Sequence, residues 1–141
     1  MSTLKVTNVA HETSTLNTLV FDNGGGSGNG RVTTKGTIGE ISAVSYASTI
    51  TLDFRTANNF STTLTGNVTF ANPSNISAGQ SGVLFITQDD TGSRTAPFGS
   101  YWDFSDGTAP TLSTGANQVD VIAWIARTNT NIAAQFIGNF S

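Results

Sequence analysis

The chain has no cysteine, one histidine and one methionine, and only three of its 141 residues are proline. The missing thiols exclude disulfides and thiolate metal sites. Charge is scarce as well. Lys, Arg, Asp and Glu make up 11% of the residues, against about a quarter in an average soluble protein. The six cations, Lys5, Arg31, Lys35, Arg55, Arg94 and Arg127, stand singly along the chain, and the net charge is -3. Nothing there builds the basic face that phosphate neutralisation demands, so nucleic acid is not an expected partner. No apolar stretch approaches the length of a bilayer span. The opening residues, Met1-Ser2-Thr3-Leu4-Lys5, lack the apolar segment of a secretory signal, and no membrane contact is expected. The glycosylation patterns at Asn59, Asn67, Asn75 and Asn139 are then coincidence in an Asn- and Thr-rich chain.

What the chain does have is hydroxyls, amides and glycine. Thr (23), Ser (15), Gly (15) and Asn (13) account for 66 of the 141 residues. That mixture is poor in helix formers and rich in β-branched and turn residues. Nine Phe and two Trp supply the apolar bulk for one core. The length suits one domain preceded by an arm, and the class is all-β.

Two regions differ in density. Residues 1–36 hold a sparse alternation at Leu4, Val6 and Val9, a second apolar run at Leu19, Val20 and Phe21, and a third extended piece begun by Val32. Between the last two lies the flexible tract Gly24-Gly25-Gly26-Ser27-Gly28-Asn29-Gly30. These pieces are too short to bury their own side chains. They read as an extended N-terminal arm whose six anchors, Leu4, Val6, Val9, Leu19, Val20 and Phe21, need another surface.

Residues 43–141 are denser. Ile50, Leu52 and Phe54 alternate with polar residues, the period of a strand. Residues 60–64 and 68–70 predict two strands joined as a hairpin by Gly66-Asn67. The continuous run Val83-Leu84-Phe85-Ile86-Thr87 predicts a central strand buried on both faces. Residues 93–117 form a long irregular stretch whose Phe98, Tyr101, Trp102 and Phe104 fold back as a lid. Residues 118–127 carry apolar side chains on both faces: Val119, Val121, Ala123 and Ile125 on one, Ile122 and Trp124 on the other. A turn at Thr128-Asn129-Thr130-Asn131 returns the chain through residues 132–140. Seven or more short strands at such spacing fit a β-sandwich or jelly-roll-like domain.

Catalytic constellations are hard to assemble. His11 is the sole histidine and lies in the arm, remote in sequence from any nucleophile turn. Ser81 in Gly79-Gln80-Ser81-Gly82 reads as a turn serine, and the glycine tract lacks the Lys-Ser/Thr of a phosphate loop. Asp89-Asp90, and Asp103 with Asp106, could in principle bind calcium or flank a glycosidic bond, but each sits beside turn residues. No enzyme activity, cofactor or metal is expected. An aromatic pair, Tyr101-Trp102, beside Asp103 and Asp106 would be the glycan contact if the protein recognised a surface sugar.

A chain of short motifs carries a resemblance. Residues 60–70, Gly79-Gln80-Ser81-Gly82, Ile86-Thr87-Gln88-Asp89-Asp90-Thr91-Gly92-Ser93-Arg94-Thr95, Tyr101-Trp102-Asp103-Phe104 and Asp120-Val121-Ile122-Ala123-Trp124 resemble a β-domain of tailed-phage virion proteins, especially of marine and cyanobacterial phages. Ser2-Thr3-Leu4-Lys5-Val6-Thr7-Asn8-Val9 and Val20-Phe21-Asp22 are similar to N-terminal arms of such proteins. The resemblance implies a virion component assembled in the host cytoplasm. The chain is short and has no shaft repeats, which favours a capsid decoration or cement protein, bound to the major capsid protein or another virion protein through its arm. A homotrimer or other cyclic homo-oligomer is the expected state. The alternative is a short tail-fibre or receptor-binding protein that recognises a host surface glycan.

Overall fold

Two β layers enclose the core in the computed structural model, which describes residues 38–140. Eight strands are present among those residues: β1 Ile41–Ala43, β2 Thr49–Ile50, β3 Asn59–Leu64, β4 Thr69–Phe70, β5 Ser81–Gln88, β6 Trp102–Phe104, β7 Val119–Thr128 and β8 Asn131–Phe140. The only helical element described is a 3-10 turn, Ser105–Gly107. The all-β class follows from the composition: β-branched and aromatic side chains suit a pleated, half-buried surface. The arm over residues 1–36, its six anchors Leu4, Val6, Val9, Leu19, Val20 and Phe21, and His11 lie outside the described residues.

The large sheet has the order β1-β3-β5-β7-β8-β6. Its pairing is mixed. β1, β3 and β5 run parallel, β7 is antiparallel to β5 and β8, and β6 is parallel to β8. Antiparallel pairing, of which a jelly roll is made, is confined here to β5, β7 and β8. The chain reaches the parallel pairs by winding between layers. β2 pairs in parallel with β4, and Phe70 in β4 makes a parallel bridge to Phe98. Successive passes therefore stack β1, β3 and β5 in one layer, and β2, β4 and the segment at Phe98 in the other.

This winding corrects the expected hairpin at Gly66-Asn67. β3 and β4 belong to different sheets, and the dipeptide is a corner between layers. The Asn67 side chain accepts from Thr95 N at 3.0 Å, and Asn67 O accepts from the Tyr46 hydroxyl at 3.2 Å. The corner is tied forward and backward along the chain rather than closed on itself.

The core lies between the layers. Phe60 and Leu64 from β3, Leu84 and Ile86 from β5, and Ile122 and Trp124 from β7 are all buried on the inner face of the large sheet. Ile50, Leu52, Phe54 and Phe70 meet them from the other layer. Phe54 stacks on Trp124 with centroids 4.1 Å apart. Burying such rings is the main favourable contribution, at roughly 25 cal/mol per Å² removed from water. Gly82 in β5 permits one close approach, since a Cβ there would lie 1.8 Å from the carbonyl oxygen of Asn58.

Candidate interaction surface

Polar side chains of the fold are largely committed to holding loops. Asp89 closes the turn after β5. Its carboxylate accepts from Arg94 Nη2 at 2.7 Å and Nε at 3.1 Å, and from the backbone N–H of Thr91 and Gly92 at 3.1 and 2.9 Å. The Arg94 guanidinium, before the backbone donors, holds the Asp89 carboxyl below its ordinary range. Buried Gln88 clips the same turn through Arg94 N and Arg94 O at 2.8 and 3.0 Å. Asp53 accepts from Asn75 Nδ2 at 2.8 Å and Arg55 N at 3.0 Å, and the Asn75 bond leads in lowering its pKa. Asp120 is buried on β7 and receives Ser113 N at 2.8 Å and Asn139 N at 3.0 Å. Among the described residues no group of three or more His, Cys, Asp or Glu could hold a metal ion.

The residues singled out as a glycan contact separate in the fold. Trp102 is 6% exposed and faces the core, edge-on to both Phe54 and Phe98. Tyr101 is half-buried and packs against the same cluster. Trp102 cannot stack on a sugar, which corrects that part of the expectation. The reason is the period of β6, which turns Trp102 and Phe104 inward and Asp103 outward. Asp103 is exposed, 3.9 Å from Arg127 Nη1, and accepts from Asn131 Nδ2. Asp106 is exposed in the 3-10 turn at a φ of 59°. Ser81 opens β5 opposite Ile125.

The prominent surface is the outer face of the large sheet. β5 was expected to be buried on both faces. Instead Leu84, Ile86 and Gln88 are buried on the inner side, while Val83, Phe85 and Thr87 are only half-buried on the outer one. β7 repeats this, with Val119, Val121 and Ala123 half-buried and Ile125 exposed. Register places Phe85, Val121 and Ile137 in one apolar row across β5, β7 and β8. Ile125, Ile137 and Phe140 are 49%, 46% and 50% exposed. The neighbouring outward positions on β3 are Asn59, Ser61 and Thr63, and on the opposite border stands Asp103. The face is therefore apolar and uncharged at its centre and polar at its borders. Beside Ile125 it dips into a trough of about 560 Å³, lined in part by Ala123, Ala133 and Gln135.

Sequence reasoning listed the outward residues of β7 but did not mark them as a site. The signal was there: β5 and β7 carry apolar residues on both faces, and one layer can cover only one of them. No protein-family model, curated protein or solved structure matches this chain.

Proposed function

We propose that the protein is a structural component of a phage virion, a capsid decoration or cement protein that works by contact rather than by chemistry. The observation that carries this reading is the outer face of the large sheet: uncharged, apolar at its centre and bordered by amides and hydroxyls. A surface of that kind, on a fold where Asp53, Asp89 and Asp120 are spent on holding its own loops, suits adhesion. In this reading the two layers are a reduced β-sandwich, one large sheet closed by a small one. Residues 1–36 anchor the protein to the major capsid protein or another virion protein through Leu4, Val6, Val9, Leu19, Val20 and Phe21. Repetition over a symmetric shell multiplies weak contacts through avidity.

Co-sedimentation with virions of the encoding phage tests the proposal. The full chain should pellet with particles, and a Leu19→Asp/Phe21→Asp variant should remain in the supernatant while keeping its β circular dichroism. A wild-type chain that never pellets, or a variant that pellets equally well, overturns it. The alternative, a short fibre or receptor-binding protein, is supported by the exposed Asp103 in the wall of the trough, with Arg127 Nη1 3.9 Å from it. It predicts a glycan-array signal that is lost in Asp103→Ala, which a cement protein should not give.

A further inference from the structure

We infer that the outer face of the large sheet is where two copies of this chain meet, packed against the same face of the other copy around a two-fold axis. The inference rests on reading that face as a contact surface and adds its occupant.

Four observations point to a second copy. First, the strands themselves are written for two-sided cover. β5 and β7 are central strands with apolar residues pointing both ways, yet among the described residues only the inner side is packed. The second set of side chains gains nothing until something dry lies on it.

Second, the face contains both parts of a self-fitting contact. Ile137 and Phe140 stand proud, each about half exposed. The trough bordered by Ala123 and Ala133 lies a short way along the same strands. A rotation axis brings the projection of one copy to the recess of the other and repeats the fit in reverse, the defining property of an isologous interface.

Third, charge permits it. The chain carries a net -3, so two copies repel at long range, but outward positions across the centre of the face, from Ser61 through Phe85 and Val121 to Ile137, are neutral. Asp103 and Arg127 lie at the border and pair with each other. No buried unpaired charge would result.

Fourth, the size is adequate. Five strands at about 4.8 Å spacing and six residues at about 3.3 Å make a rectangle near 24 by 20 Å, on the order of 500 Å² in projection. Side-chain relief brings the accessible area toward the roughly 800 Å² per partner of a standard specific interface. Two such sheets pack about 10 Å apart, with their strands aligned to within about 30°.

Sedimentation equilibrium and native mass spectrometry on the full chain provide the test, with three variants. Ile125→Glu/Ile137→Glu places like charges at two exposed positions of the face. Thr51→Lys does the same at an exposed position on the small layer. Leu19→Asp/Phe21→Asp disables the arm. The wild type should be a dimer at micromolar concentration, and a trimer, whose contacts cannot be isologous, overturns the inference. The face variant should associate roughly 30-fold or more weakly, the scale of losing a central contact, with an unchanged circular dichroism spectrum. The Thr51 variant and the arm variant should remain oligomeric. A monomeric wild type overturns the inference, as does a face variant as oligomeric as the wild type. An oligomer lost only in the arm variant overturns it too. Particle binding by a monomeric wild type would remove this inference and leave the proposed function standing.

Discussion

Asp120 offers the sharpest test of how the fold is held. It sits on the central strand β7, 1% exposed, and faces inward beside Ile86 of β5. One oxygen receives Ser113 N from the irregular stretch at 2.8 Å, and the other receives Asn139 N near the end of β8 at 3.0 Å. Asp120→Ala strands both donors. A buried donor left without a partner costs about 1–3 kcal/mol, and less where water reaches it; Ser113 is half-buried and Asn139 exposed. Relief from burying a carboxylate offsets part of that. The net expectation is a loss of roughly 1–2 kcal/mol, a sizeable share of the 5–15 kcal/mol that holds an ordinary domain together. At about 4–8 °C per kcal/mol for a domain near 100 residues, the melting temperature should fall by roughly 5–15 °C. Asp120→Asn keeps one acceptor but aims an N–H at the second donor, so its loss should lie between wild type and alanine. Urea unfolding followed by fluorescence of the buried Trp102 and Trp124 gives the values. Amide exchange should accelerate first at Ser113 and Asn139. Alanine and asparagine variants both within about 0.5 kcal/mol of wild type would refute the reasoning, since that is the range of an uninvolved surface site.

Three further outcomes follow from the geometry. Gly82→Ala should abolish stable folding or lower the melting temperature sharply, because its Cβ would press on a backbone oxygen at 1.8 Å; a thermal melt equal to wild type would show that β5 can shift away from Asn58. Thr62→Val should be neutral or stabilising by up to about 1 kcal/mol, since the buried Thr62 hydroxyl has no protein partner, and urea midpoints decide it. The Asp89–Arg94 clamp should make stability fall with acid. The Arg94 guanidinium holds the folded carboxyl below the ordinary carboxylate range, so its contribution is complete above the unfolded pKa and fades as pH drops through the folded one. Asp89→Asn should lower stability at neutral pH and flatten its decline below about pH 4, read from melts at several pH values.

Local periodicity carried far in this chain. The alternation at Ile50, Leu52 and Phe54 marks three buried side chains, and the turn foreseen at residues 128–131 joins β7 to β8. Pairing partners were harder to read. Alternation states which face of a strand is inward, not which strand lies beside it, and a Gly-Asn corner looks the same whether the chain folds back or crosses to another layer. Trp102 was open to two readings for a related reason: aromatic content signals burial or stacking equally, and only the inward turn of β6 decides for the lid over the sugar. The continuous run in β5 proved half informative. It announced two-sided cover, but within the described residues the cover is one-sided.

The place of β6 has a consequence for synthesis. Among the described residues its one neighbour in the sheet is β8, which follows it by more than two dozen residues. While the ribosome is still making residues 105–130, β6 has no described ladder to join, and only ring contacts to the earlier Phe54 and Phe98 can hold Trp102 and Phe104. The sheet reaches its full width only after residue 134 has left the exit tunnel, so a nonsense codon a few positions upstream would cost the nascent chain two strands rather than one.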